Sequence, residues 1–347
     1  MNSSTNDNYQ YPQDELSDSE KRITDLKPGR RFHNATFAFS DAQLRLAKNS
    51  KSFLIIKLRD RTGAKQARWF SPTDDILNQL QDAKLVCVNG SVDGNPGQYY
   101  GEIKLDSCVA APTPDDLSPY MQPLPGDHAM HRARFFDLIR SVQNPYCKEL
   151  LKVIFDLDGE NWNKFEAAPA AKVLHHGYRG GLLEHTGEVA ALCDSVASTL
   201  PHLDRDLLIT AALLHDFGKL EELAQDLNSG EYTQRGYLIG HVVLGTCIVR
   251  EAMNSIEDFP ATLQDEILHL ILSHHGRTEF GAAKTPMFPE AIILSACDLM
   301  SARVAQCREL IDSHETTDMT TELFGWDTRQ VYLGTMKRMM EDTSNEQ

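Results

Sequence analysis

The 347-residue chain exceeds the ~100–200 residues of a typical domain, so two domains plus tails are expected. Hydrophobic residues at 41% and charged residues at 24% exclude a wholly disordered, collagen-like or coiled-coil chain. The net charge of −16 hides a split: residues 21–110 hold 15 Lys/Arg against 9 Asp/Glu and the rest 19 against 41, a basic front suited to phosphates and an acidic back.

In chain order, residues 1–20 are rich in Asn, Ser and Asp with almost no apolar side chains, and read as a disordered acidic tail. The polar stretch Met1 to Arg22 lacks the apolar core of a signal peptide. No later run approaches the ~18–20 apolar residues of a membrane span. A cytoplasmic protein with no membrane partner is therefore expected. Over residues 21–110, RFHNATFAFS, SFLIIKLRD, AKQARWF, KLVCVNGSVD and YYGEIKLDSCV read as five strands separated by turn signals such as RTG and DGNPG. The helical insert SPTDDILNQL falls between the third and fourth, which is the order of a five-stranded OB-fold barrel.

Residues 111–128, with five prolines, predict an extended linker. Residues 129–312 carry helical periodicity throughout and predict an all-α domain, and residues 313–347 predict a C-terminal helical extension and tail. The fold class is thus multidomain α and β, a barrel followed by a helical domain. Seven cysteines without a CxxC pair fit neither a disulfide framework nor a zinc ribbon and read as reduced core residues.

His185, His215-Asp216, His241, His274-His275 and Asp298 carry the chemistry. Singly, a helical histidine is more often a surface or satisfied core group than a ligand. Together they lie at the ends of apolar runs such as LLITAALL and LHLILS, where burial is costly unless they are paired or bind metal. Imidazole with carboxylate suits Mn, Fe, Ni or Zn better than Ca, and the lack of cysteine ligands points to a catalytic site. In the front half, aromatics (Phe53, Trp69, Tyr99, Tyr100) lie among Arg45, Lys48, Lys51, Lys57, Arg59 and Arg68, a mixture suited to single-stranded nucleic acid. A protein-docking role is the competing reading. Strand alternation assigns Phe53 to the core, with Lys48, Lys51, Arg59, Trp69 and Tyr100 as the binding candidates.

The order His185, His215-Asp216, His241, His274, Asp298 resembles the HD phosphohydrolase superfamily, of which HDFGK (215–219) is characteristic. More narrowly, HHGYRGGLLEHT (175–186), DLLITAALLHDFGKLEEL (206–223), GYLIGHVVLG (236–245), LHLILSHHGRTEFG (268–281) and PEAIILSACDLMSA (289–302) are similar to the YhaM-type 3′-5′ exoribonuclease family. That family places an OB-fold before its HD domain, and AKNSKSFLIIKLRDRTG (47–63) is similar to its OB segment. A departure is Trp69-Phe70-Ser71, where the family often has a Trp-Asp step.

The resemblance implies two divalent metal ions, Mn²⁺ first, with Fe, Co, Ni or Mg as alternatives. Asp216 would bridge them, with His185, His215 and Asp298 on one ion and His241 and His274 on the other. His275 is then left near the substrate, although which histidine of the pair ligates stays open. It also implies a metal-bridging hydroxide that attacks the terminal phosphodiester of single-stranded RNA, with single-stranded DNA as a second candidate, and releases nucleoside 5′-monophosphates. Lys219 is a candidate for stabilising the phosphoryl oxygens, against the bland reading of a solvated helix-end lysine. Arg179 and Arg277 are phosphate-binding candidates, against surface ion pairing, and His176 and Tyr178, with His175, are base-pocket candidates, against a structural turn. The rival functions are an HD phosphohydrolase for a small nucleotide and a non-catalytic nucleic-acid-binding scaffold. A homo-oligomer is left open.

Overall fold

The computed structural model describes residues 21–47, 51–73, 75–81, 83–95, 100–121, 123–124, 126–156, 159–171, 176–224, 231–312, 318–319 and 330–345. The acidic tail at 1–20, Lys48, Tyr99, His175 and much of the C-terminal extension lie outside them. The chain divides into two compact units, one up to Pro123 and one from Leu124 onward.

In the first unit, β1 (Arg31–Leu46), β2 (Ser52–Asp60), β3 (Gly63–Trp69), β4 (Leu85–Val92) and β5 (Ile103–Ala111) close a barrel in the order β1-β2-β3-β5-β4. Only the β3–β5 contact is parallel. The short helix α1 (Ile76–Leu80) joins the third strand to the fourth, as the sequence predicts, and buries Ile76 and Leu80 in the barrel core. β1 serves two neighbours: its first half pairs with β4 and its second with β2. Register shifts at Phe32/Ala35 and Ser40/Gln43 let so long a strand bend around the barrel. At the first shift Asn34 adopts φ 51°, and its N–H donates to Asn89 Oδ1 at 2.8 Å.

Strand parity corrects one expectation. Leu54, Ile56 and Leu58 fill the interior, so Phe53 in between points outward, where it stacks on the exposed Phe70 with ring centroids 5.8 Å apart. Trp69 shares the parity of the buried Ala67, pairs with Leu54 and packs against the core. Phe53 and Trp69 thus exchange the places the sequence reading gives them. The proline-rich stretch is a second correction, because Leu117, Tyr120 and Met121 pack on Ala38 and Leu85 and the Arg61 N–H donates to Pro119 O. Apolar side chains between the prolines fold its first part onto the barrel instead of leaving it extended.

The second unit comprises α2 (His128–Ser141), α3 (Pro145–Phe155), α4 (Glu160–Ala167), α5 (Gly181–Thr199), α6 (Arg205–Leu214), α7 (Lys219–Glu222), α8 (Gln234–Leu238), α9 (His241–Asn254), α10 (Ala261–Ser273), α11 (Pro289–Asp312) and α12 (Gly334–Asn345). Its described residues form no strand beyond two isolated bridges, Leu223–Tyr232 and Met319–Tyr332. Helix α6 is capped by the Asp204 carboxylate, which accepts from Leu207 N, and is buried on every side from Leu207 to Leu214. It is the central helix, packed by α3, α5, α10 and α11. Phe135, Phe155, Trp162, Phe165 and Phe217 form an aromatic cluster in the same core. All seven cysteines are free, and no helix among the described residues is long and apolar enough to cross a membrane.

Asp60 ties the start of the barrel unit to the β2–β3 turn: its carboxylate accepts from Ile23 N at 2.8 Å and from the Thr62 N–H and hydroxyl at 2.7 and 2.6 Å. Asp60→Ala strands the buried Ile23 N–H, and denaturant unfolding of the full chain should show a loss of about 1–3 kcal/mol.

Candidate metal centre

Two apolar helices end at the same place. α6 runs into His215 and α10 into His274, each occupying the C-terminal cap. In both, Nδ1 lies against the carbonyl three residues back: His215 on Ala212 O at 2.7 Å and His274 on Ile271 O at 2.6 Å. These are last-turn carbonyls that lack a helical partner. A carbonyl has no hydrogen to give, so Nδ1 carries the proton and the Nε2 lone pair points into the site. Both Nε2 atoms are buried without a hydrogen-bond partner. Burial and the neighbouring His275 hold His274 well below the ordinary imidazole pKa, so it is neutral.

Asp216 follows His215 in the turn, and its two oxygens face different groups. Oδ2 lies 3.4 Å from His185 Nε2, 3.3 Å from His215 Nε2 and 2.6 Å from Lys219 Nζ. Oδ1 lies 3.5 Å from His241 Nε2 and 3.7 Å from His274 Nε2. Burial opposes the charge, but the Lys219 ammonium and the hydrogen bond from His185 hold the Asp216 carboxyl well below its usual pKa. Asp298 completes the first group from α11, its Oδ1 3.1 Å from His185 Nε2 and 3.9 Å from His215 Nε2.

The second group depends on glycine. A Cβ on Gly218 would fall 2.1 Å from His241 O and 2.5 Å from Gly245 N, so the glycine of HDFGK is what lets α9 close on the turn. His241 is the first residue of α9, and Glu222 Oε1 accepts both its N–H and its Nδ1–H at 2.9 Å. His241 Nε2 is 3.0 Å from His275 Nε2. Burial and His241 lower His275 to about 4, leaving it neutral.

Two donor sets result, His185–His215–Asp298 and Asp216–His241–His274–His275, each with ligand atoms within 4.8 Å of one another. Orphaned, inward-facing Nε2 atoms between carboxylates fit divalent ions of the Mn or Fe kind, with Asp216 shared between the sets. The structure brings His185, His215, Asp216, His241, His274 and Asp298 together, and it adds His275 to the second set beside His274.

A third cluster, His176–Glu184–Glu188, lies behind His185. Its carboxylates already accept other hydrogens, Glu184 from Tyr178 Oη at 2.5 Å and Glu188 from Ser301 Oγ at 2.8 Å. Of the base-pocket candidates, His176 and Tyr178 belong to this cluster, and His175 lies outside the described residues. Burial and Glu184 hold the Tyr178 phenol above its ordinary pKa. The Arg179 Nε has no hydrogen-bond partner among the described residues, and the exposed Arg277 guanidinium lies 5.9 Å over the Phe280 ring. Sequence reasoning missed Glu222, Glu188 and Ser301. The last two were open to it, since Glu188 follows His185 and Ser301 follows Asp298 by three residues, one helical turn.

In the barrel unit, Lys51 and Tyr100 are exposed and Arg59 lies half-buried on the outer face of β2. Trp69 stands apart, facing the core.

Residues 182–303 match the HD domain family model. An HD domain is a metal-dependent phosphohydrolase module, and the chain joins it to an N-terminal OB-like barrel.

Two outcomes follow for the ions. Against burial, hydrogen bonds to Asp216 and Asp298 raise His185 to about 9, so an ion must displace a proton there. Affinity should rise about tenfold per pH unit toward that value, and calorimetry in buffers of different ionisation enthalpy should register about one proton released. Gly218→Ala should push His241 out of the second set, so metal analysis of the folded variant should find only the ion of the His185 set.

Proposed function

We propose that the chain is a metal-dependent 3′-5′ exoribonuclease of the YhaM type, which shortens single-stranded RNA and releases nucleoside 5′-monophosphates. The observation that carries this reading is the division of Asp216, one oxygen toward each donor set, in a chain that also holds an OB-like barrel with a basic, aromatic face. His185, His215 and Asp298 on one side of Asp216 and His241 and His274 on the other would hold two divalent ions, Mn²⁺ first, which would supply activation of water and neutralisation of charge on an attacked phosphoryl group. The 3′ polarity and the RNA substrate rest on the family resemblance.

The chain's own groups supply the remainder. Lys219, nearly buried with Nζ on Asp216 Oδ2, places a positive charge beside the shared carboxylate, where it offsets charge on a phosphoryl oxygen. Arg179 has an unengaged Nε in the loop before α5 for a second phosphate contact. Hydrolysis forms a bond from water oxygen to phosphorus and breaks the bond from phosphorus to the 3′ oxygen. The shortened strand keeps a 3′ hydroxyl, and the phosphate leaves on the 5′ carbon of the released nucleotide.

On the barrel, β2 presents Phe53, Ile55, Lys57 and Arg59 outward, with Arg45 opposite Phe53 on β1 and Phe70 stacked on it. Aromatic faces beside cations suit a single strand, whose bases stack while its phosphates meet the charges.

With 5′-labelled single-stranded RNA and Mn²⁺, the purified chain should give a descending ladder that chelator and Asp216→Ala both abolish. Unchanged RNA in every lane would overturn the nuclease reading. Phe53→Ala with Phe70→Ala should raise KM by about tenfold or more, from about 1–3 kcal/mol per lost base stack, and leave turnover at saturation unchanged.

A further inference from the structure

The imidazoles around Asp216 need their protons on Nδ1, and three have outer partners that leave no choice. His215 and His274 meet backbone carbonyls and His241 meets the Glu222 carboxylate, all acceptors only. His185 differs, because its Nδ1 lies 3.1 Å from the hydroxyl of Ser301. A hydroxyl both donates and accepts. Were Ser301 to donate, the His185 proton would move to Nε2 and the lone pair would turn away from Asp216 and Asp298.

Ser301 is committed elsewhere. Its hydroxyl donates to Glu188 Oε2 at 2.8 Å, so its oxygen is left to accept the His185 Nδ1–H. Glu188 sits one turn after His185 on α5, and its other oxygen accepts from Arg308 Nη1 at 3.4 Å. His176 Nε2 lies 3.7 Å from the oxygen that takes the Ser301 proton. The carboxylate is thus held by the Arg308 guanidinium at one oxygen while the other draws the hydroxyl hydrogen.

We propose that Glu188 is a positioning residue for the first metal set: acting only through Ser301, it holds His185 in the tautomer whose Nε2 can take an ion. The inference rests on the metal-centre reading above. Glu188 touches no reacting group, and its effect is a directed chain of hydrogen bonds, Glu188 from Ser301 and Ser301 from His185.

A double-mutant cycle read by metal calorimetry on the full chain tests this, with thermal unfolding of the metal-free proteins to establish that each is folded. Wild type that binds no Mn²⁺ would overturn the metal-centre reading and this proposal with it, whereas wild type that binds two ions establishes the metal centre, and the variants then test the relay alone. Given two ions, Glu188→Ala and Ser301→Ala should each weaken one of them by about 10–100-fold and leave the other unchanged. The double variant should be no weaker than Ser301→Ala alone, and Ser301→Thr, which keeps the hydroxyl, should bind as wild type. Wild-type affinity in Glu188→Ala, or losses that multiply in the double variant, would overturn the proposal.

Discussion

A buried carboxylate organises the helical unit. Asp216 sits almost wholly out of water at the end of an apolar helix, where an isolated negative charge is prohibitively costly. The surrounding fold offsets it with Lys219 one turn on and the hydrogen bond from His185, and it gathers the nitrogens of His215, His241 and His274 around it as ligand atoms for cations. Helix α6 is apolar all round because it must carry this group to the centre of the domain. α10 ends on the same point because the second set of nitrogens has to be supplied from another direction.

The same economy appears in how the histidines are aimed. A helix end leaves carbonyls without partners, and an imidazole that donates to one satisfies the backbone and orients itself in a single contact. His215 and His274 use this device, whereas His241 uses a helix beginning, with Glu222 accepting both the backbone and the ring N–H. His185 lies within α5, where the backbone is already paired, so its outer partner has to be a side chain from another helix. That is why it alone among the four depends on a hydroxyl and on the carboxylate behind it.

The barrel unit obeys a different constraint. Once Leu54, Ile56 and Leu58 occupy its interior, the neighbours at odd positions of β2 must face outward, and the cations and Phe53 come to lie on one surface. The charge split along the chain fits this arrangement, with the cationic excess in residues 21–110, which hold the barrel.

The sequence by itself determined the two kinds of architecture, through period-2 runs and then helical periodicity, and it isolated His185, His215-Asp216, His241, His274-His275 and Asp298. Polar groups ending apolar runs are conspicuous in one dimension because burying them unpaired is costly. Which aromatic faces outward on the barrel, whether Leu117 to Met121 packs on it, and the joining of Glu188 to Ser301 were decided only by the tertiary structure. A strand pattern leaves register and bulges unspecified, so Phe53 and Trp69 could not be told apart before pairing fixed their parity. Likewise Glu188 and Ser301 lie 113 residues apart, and although each stands one turn past a candidate ligand, their contact exists only when α5 and α11 pack together.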